Sequence, residues 1–131
     1  MNKHWVGVAC VIFVIATAPA AWAQSPQKLS FGTGRPVPSG NVLKGQHVFD
    51  AICWACHSHD LSGGKAPPLT GSAFYKIWQG QRVDALFDLI HNTMPRDDPG
   101  FLSDDMAHDV VAYIVSYANS PKNVTGGKAK K

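Results

Sequence analysis

The sequence predicts an all-α fold with three main helices and long connecting loops. Apolar residues recur at helical spacing in three stretches, whereas an alternating strand pattern is almost absent. The 131 residues include 12 glycines and 9 prolines, which mark the loops. This length allows one globular domain. A formal net charge of +3 and 45% hydrophobic residues disfavour wholesale disorder and a dedicated nucleic-acid binder.

The first 23 residues have the pattern of an export signal that does not belong to this domain. Lys3 is followed by an apolar run from Trp5 to Ala16 and then by an Ala-x-Ala sequence that ends at Ala23. We expect cleavage after Ala23, which also removes Cys10, and a periplasmic location in a Gram-negative source. Residues 24–40 are rich in proline and glycine and predict an extended leader.

The first predicted helix runs from Asn41 to Cys53. Val42, Phe49 and Ile52 share one broad apolar face of it. Gly45 lies on the same face, where the missing side chain would allow another backbone to approach closely. Because glycine weakens a helix, we expect a close helix crossing at this residue.

Two further helical stretches follow a loop that spans residues 59–71. A short one covers Ser72 to Gln79, with Phe74 and Trp78 one turn apart. A second helix is predicted from Val83 to Asn92, and the turn at residues 96–100 closes it.

The last predicted helix begins after Ser103, an N-cap residue followed by two aspartates in the first turn. It ends near Asn119, because Pro121 prevents its continuation. The globular domain therefore spans residues 41–121. Residues 122–131 carry four lysines and predict a basic, disordered tail.

The string Cys53-Trp54-Ala55-Cys56-His57 allows three kinds of chemistry. A disulfide between the two cysteines would close a very small loop and constrain the unfolded chain little. A thiol oxidoreductase would need a βαβ context, which the sequence does not offer. Covalent haem attachment places both thiols on one tight turn and the adjacent histidine towards the iron. The sequence therefore favours haem attachment.

A second iron ligand is sought among the remaining methionines and histidines. Met94 follows an apolar helix, and Pro95 forces it into an extended conformation that can present its thioether to a pocket. His91 lies one helical turn earlier and is the rival candidate. Met106 lies on the apolar face of the last helix and is predicted to be core.

The other histidines are weaker candidates. His59 lies too close to His57 to reach the opposite face of a haem. His47 and His108 fall on the polar faces of their helices, so we expect both to be solvated.

Residues 42–118 resemble the class I c-type cytochromes. The motifs that carry the likeness stand in the order of that family: Gly45-x-x-x-Phe49, Cys53-Trp54-Ala55-Cys56-His57, Pro67-x-Leu69-x-Gly71, Thr93-Met94-Pro95 and Val110-Val111-Ala112-Tyr113-Ile114. The segment from Phe74 to Pro95 is also similar to small cytochromes that serve periplasmic quinoprotein dehydrogenases. The resemblance implies a cytochrome c-like fold around one covalently bound haem c.

The resemblance also implies roles for individual residues. Cys53 and Cys56 would bind the haem, and His57 and Met94 would ligate its iron. The other expected haem-site residues are Pro67, or Pro68 one position on, as acceptor for the second nitrogen of the His57 ring, Leu69 in the apolar wall and Trp78 near a propionate. Burial and the weak thioether donor would both favour the reduced iron.

The expected function is one-electron transfer rather than catalysis. Such a cytochrome would take electrons from a periplasmic dehydrogenase or a membrane complex and pass them to an oxidase or reductase. Two alternatives stay open: an obligate cytochrome subunit of a larger oxidoreductase, and a haem-based catalyst or sensor, should Met94 be labile.

Overall fold

A computed structural model describes residues 28–32 and 39–124. The predicted export signal, most of the leader and residues 125–131 of the tail lie outside the described residues. The helical elements are α1 Val42–Val48, a π-helical segment Phe49–Cys53, α2 Trp54–His57, α3 Gly71–Trp78, α4 Val83–Thr93, α5 Asp104–Ala118 and α6 Pro121–Val124. The described residues contain no strand beyond a single bridge between Gly32 and Arg82. The predicted all-α fold is confirmed.

Helix α1 crosses helix α5 at Gly45, as the sequence predicts. A Cβ atom on this residue would collide with the backbone carbonyl of Asp109 and would lie 2.9 Å from Cβ of Tyr113. One turn later, the fully buried ring of Phe49 packs against Tyr113 with a centroid distance of 5.4 Å. The missing side chain thus lets the two helices make direct backbone contact.

One apolar core joins α5 to α3, α4 and the π-helical segment. Leu86 and Ile90 of α4 and Val110 and Ile114 of α5 are at most 6% exposed, and they recur at the helical spacing that predicted both helices. The Tyr75 hydroxyl of α3 donates a hydrogen bond to the backbone carbonyl of Ala118. Apolar packing therefore holds α3, α4 and α5 together, and a buried hydrogen bond also joins α3 to α5.

Residues 28–32 of the predicted leader pack on the domain. Leu29 is 3% exposed. Its backbone N–H donates to Oδ1 of Asn119 at 2.7 Å, and its carbonyl accepts from Nδ2 of the same amide at 3.2 Å. At the other end of this segment, the Gly32 N–H donates to the Gln81 carbonyl, and the Gly80 N–H donates to the Ser30 carbonyl, both at 2.9 Å. This short strap links the end of α5 to the α3–α4 turn.

The predicted disordered tail is wrong for residues 122–124, which belong to α6. Pro121 does end α5, but proline is well suited to the first position of a new helix, because its missing N–H would have no partner there. The Asn123 amide donates to the Tyr117 carbonyl at 2.7 Å, and Lys122 Nζ lies 4.9 Å from the centre of the Tyr117 ring. None of the described helices is long and apolar enough to span a bilayer.

Candidate functional site

The two cysteines of the Cys-x-x-Cys string lie where the π-helical segment passes into α2. The predicted first helix is interrupted here, because the Trp54 N–H donates to the Phe49 carbonyl, five residues earlier. Such wide turns are frequent at functional sites. Cys53 is half-buried and Cys56 is exposed, and both thiols are free. The structure therefore shows no disulfide between them.

The thiol of Cys53 differs from that of a redox-active cysteine. Burial, and secondarily the nearby Cys56, raises its pKa from 9.0 to about 11. Dithiol oxidoreductases depend instead on a lowered thiol pKa, because the thiolate is the reactive form. The raised pKa of Cys53 thus argues against thioredoxin-like chemistry.

The imidazole of His57 is oriented by the loop that follows α2. Its Nδ1 donates to the Pro67 carbonyl at 2.9 Å, which is the contact that the resemblance implied. A hydrogen bond to one ring nitrogen fixes the tautomer and leaves the other nitrogen as a donor to a metal. Nε2 of His57 is therefore the atom that could ligate an iron.

Backbone hydrogen bonds hold this loop against the cysteine string. The N–H groups of Ala66 and Gly63 donate to the carbonyls of Cys56 and His57 at 3.1 and 3.0 Å. Leu61, a residue of this loop with a positive φ of 57°, is fully buried. The sequence gives no signal for this residue, because a left-handed backbone is typical of glycine and asparagine rather than leucine. The buried leucine and the backbone contacts together place the Pro67 carbonyl.

Met94 follows directly after helix α4. Its φ and ψ of −121° and 145° are extended, as the proline after it predicts. Its N–H still donates to the Ile90 carbonyl at 3.0 Å, and its partly buried side chain packs against the apolar core. The Met94 thioether thus belongs to an extended residue whose backbone is hydrogen-bonded to the last turn of α4.

The remaining predicted haem-site residues border the same core. Leu69 and Trp78 are partly buried against it, as is Cys53. The Trp78 ring contacts Phe74 at a centroid distance of 6.2 Å. Within the described part of the chain, no hydrogen bond joins Met94 to His57. The structure therefore brings His57 and Pro67 into direct contact, and it packs Met94, Leu69 and Trp78 against one apolar core.

The expectation that His108 is solvated is wrong. Its ring stacks on Phe87 with centroids 4.2 Å apart, and its Nδ1 is buried without a hydrogen-bond partner in the described structure. The face of α5 that carries it meets α4 and also Gly40, where a Cβ would collide with the His108 carbonyl. His47 is exposed, as predicted, and Met106 packs against the core.

His91, the rival candidate for an iron ligand, is engaged elsewhere. Its Nε2 lies 3.1 Å from Oδ1 of Asp104. His59 is exposed and stacks on Trp54 at 4.4 Å. Both rings thus have contacts with the protein that the sequence does not indicate.

The donor set fits a covalently bound haem. Two free thiols and an imidazole with one nitrogen already bonded stand on one helical segment. The buried hydroxyl of Thr70, next to Leu69, has no partner in the described residues, and a propionate carboxylate would supply one. Thr70 was not foreseen, because nothing in its sequence context separates it from an ordinary residue at a helix start.

Comparisons with known proteins agree with this interpretation of the donor set. Residues 40–114 match the model of a family described as cytochrome c oxidase, cbb3-type, subunit III. The chain is also similar to a thiosulfate dehydrogenase of Stutzerimonas stutzeri, with 31% identity over 106 residues. That alignment covers 72% of this chain but only 34% of the relative, so the chain spans about a third of the relative's length.

A solved structure shows the same fold. The crystal structure of the sulfane dehydrogenase SoxCD from Paracoccus pantotrophus aligns with a TM-score of 0.51 and 22% identity, over 60% of this chain and 44% of that one. At this identity the likeness concerns the fold of the matched region alone.

Proposed function

Because the chain belongs to the c-type cytochrome family described as cytochrome c oxidase, cbb3-type, subunit III, we propose that it is a single-haem carrier of one electron. The observation that supports this most directly is the hydrogen bond from His57 Nδ1 to the Pro67 carbonyl. It prepares one imidazole nitrogen as a ligand beside two free cysteines. Neither a disulfide nor a dithiol oxidoreductase would use all of these groups together.

Cys53 and Cys56 would hold the haem through thioether bonds, and His57 and Met94 would ligate its iron. A haem bound in this way supplies reversible exchange of one electron. The protein's own contribution is positional. Pro67 fixes the His57 tautomer and strengthens its donor character, and α4 presents the Met94 thioether from an extended residue.

Two protein ligands on the iron favour electron transfer over catalysis. With His57 and Met94 both bound, oxygen, peroxide or a sulfur substrate would find no open coordination position. The thioether, as a weak donor, would raise the reduction potential relative to a second imidazole. The Thr70 hydroxyl and Trp78 are the residues we assign to the propionate side, and Leu69 to the apolar wall.

The partners that fit this role are a dehydrogenase as donor and an oxidase or reductase as acceptor. The named relatives are dehydrogenases of sulfur compounds, which supports a dehydrogenase as donor. The export signal that the sequence predicts over residues 1–23 supports a periplasmic location for this exchange.

An obligate subunit is the second candidate. It is favoured by the relatives' lengths, since the chain aligns with 34% of one and 44% of the other. A protein of this kind would remain bound to a larger oxidoreductase instead of diffusing between partners. Co-purification of untagged chain with a large partner at physiological salt would support the subunit, and a monomer would support the free carrier.

The carrier is tested with the purified haem-loaded protein. A reductive titration without oxygen should consume one electron per chain, and mass spectrometry should show one haem per chain. Because the relative is a thiosulfate dehydrogenase, thiosulfate and ferricyanide are then added together. We expect the haem to be reduced reversibly in the titration. In the second assay, we expect no sustained oxidation of thiosulfate by ferricyanide. Continued ferricyanide consumption that depends on thiosulfate would contradict the carrier and indicate an enzyme.

A further inference from the structure

Helices α4 and α5 are joined by two successive side-chain contacts. The Phe87 ring of α4 stacks on the His108 ring of α5, with a centroid distance of 4.2 Å and an interplanar angle of 17°. One turn further along each helix, His91 Nε2 lies 3.1 Å from Asp104 Oδ1. Since 87 to 91 and 108 to 104 are both steps of four residues, the contacts follow one antiparallel helix pair.

The His91–Asp104 contact lies at the base of the loop that begins with Met94. This loop, residues 94–103, leaves α4 three residues after His91 and enters α5 one residue before Asp104. Two backbone hydrogen bonds shape it, from Asp98 to Pro95 at 3.0 Å and from Phe101 to Asp98 at 3.2 Å. Both lie within the loop, so neither holds its two ends together.

His91 is held from two other sides as well. Its ring lies nearly parallel to that of Phe87, at an interplanar angle of 8° and a centroid distance of 5.4 Å. Its Nδ1 lies 3.3 Å from Oδ1 of the Asn92 side chain. The side chain of His91 is 29% exposed, whereas that of Asp104 is 80% exposed. The histidine is thus the fixed member of the pair, and the aspartate is the member that bridges across.

We propose that His91 and Asp104 act as positioning residues for Met94. Their contact, here called the loop clasp, keeps the two ends of the 94–103 loop together and so keeps the thioether at the iron. The inference rests on the proposed ligation by Met94 and adds a second role to that site: the clasp sets how readily an outside ligand can replace the thioether. His91 itself does not ligate the iron while the clasp is closed.

The size of the effect follows from the exposure of the pair. Exposed ion pairs contribute little to stability, so opening the clasp will not unfold the domain. An outside ligand binds only the fraction of molecules from which Met94 has left, and its apparent affinity scales with that fraction. A contact of this strength corresponds to about a two- to fivefold change in that affinity.

The test uses imidazole binding to the oxidised, haem-loaded protein. Asp104→Ala removes the clasp, and Asp105→Ala is the matched control, because it removes the same charge from the same first turn of α5. We expect imidazole to bind Asp104→Ala about two- to fivefold more tightly than wild type, and Asp105→Ala to stay close to wild type. Circular dichroism checks that both variants keep their helix content.

A double-mutant cycle isolates the pair. His91→Phe keeps a flat ring against Phe87 but removes Nε2, so adding Asp104→Ala to it should have no further effect on imidazole affinity. Equal affinities for Asp104→Ala and Asp105→Ala would overturn the clasp while leaving the carrier intact. If wild type already lacks the far-red sulfur-to-iron band before imidazole is added, Met94 ligation itself fails, and the clasp fails with it.

Discussion

At the scale of single residues, the Tyr75 hydroxyl is the buried polar group that links α3 to α5. The side chain is 7% exposed, and its hydroxyl donates to the carbonyl of Ala118, the last residue of α5. Carbonyls at a helix end have no partner within the helix. Tyr75 therefore satisfies a group that would otherwise be buried without a hydrogen bond.

Tyr75→Phe tests this contact. The substitution keeps the ring but leaves the Ala118 carbonyl without its donor, so we expect a loss of about 1–2 kcal/mol in the free energy of unfolding. Tyr117→Phe is the matched control, because the Tyr117 hydroxyl makes no hydrogen bond in the described structure. Urea unfolding of the haem-loaded variants measures both. Equal losses in the two variants would contradict the role of the hydroxyl.

The same pair of variants gives a pH dependence. Burial raises the pKa of Tyr75 above its ordinary value of 10.0, so the folded state favours the neutral phenol. Its contribution is complete below the unfolded pKa and is lost as pH rises from there through the folded pKa. The stability difference between wild type and Tyr75→Phe should therefore shrink above about pH 10. A difference that grows with pH would have the wrong sign.

His108 shows why residue-scale predictions fail in particular places. Its helical position places it on the polar face of α5, and the sequence does not reveal that α4 and Gly40 cover that side. Thr70 and Leu61 were missed for a related reason. Both belong to the 59–71 loop, and their burial depends on how that loop folds onto the domain, which local patterning does not encode.

At the scale of elements, the crossing of α1 and α5 depends on one missing side chain. A methyl group at Gly45 would collide with the Asp109 carbonyl, and backbone cannot move aside as a flexible side chain can. Alanine would favour the isolated helix by about 1 kcal/mol. The forced separation of the two helices opposes this gain.

Gly45→Ala should therefore destabilise the domain, by about 1–3 kcal/mol after the helix gain is included. Gln46→Ala, an exposed neighbour on the same helix, is the control and should change stability little. Thermal unfolding, monitored by circular dichroism, distinguishes the two variants. A Gly45→Ala protein as stable as the control would contradict a close crossing.

The sequence predicts best those helices whose apolar residues recur at helical spacing. The predicted stretches Val83–Asn92 and Ser103–Asn119 agree with α4 and α5 within one residue at each end, because periodicity and capping are local signals. The π-helical turn at Phe49–Cys53 and the strap at residues 28–32 were not predicted. The strap depends on contacts with distant parts of the chain, such as the Asn119 amide.

At the scale of the whole molecule, the candidate site combines local and long-range information. The Cys53–His57 string and the extended Met94 are local, so the sequence identifies them directly. The Pro67 contact was expected only through the family resemblance, and the structure places it at 2.9 Å. The loop clasp between His91 and Asp104 joins residues 13 positions apart on different helices, and only the fold brings them together.

The central claim, an iron closed by His57 and Met94, is tested most directly by the optical spectrum of the haem-loaded protein with and without carbon monoxide. Met94→Ala is measured beside wild type as the open-site reference. We predict that oxidised wild type shows the far-red sulfur-to-iron band and that reduced wild type does not bind carbon monoxide, whereas Met94→Ala lacks the band and binds the gas. Wild type that matches Met94→Ala in both respects would contradict the account, because Met94 would then not close the iron.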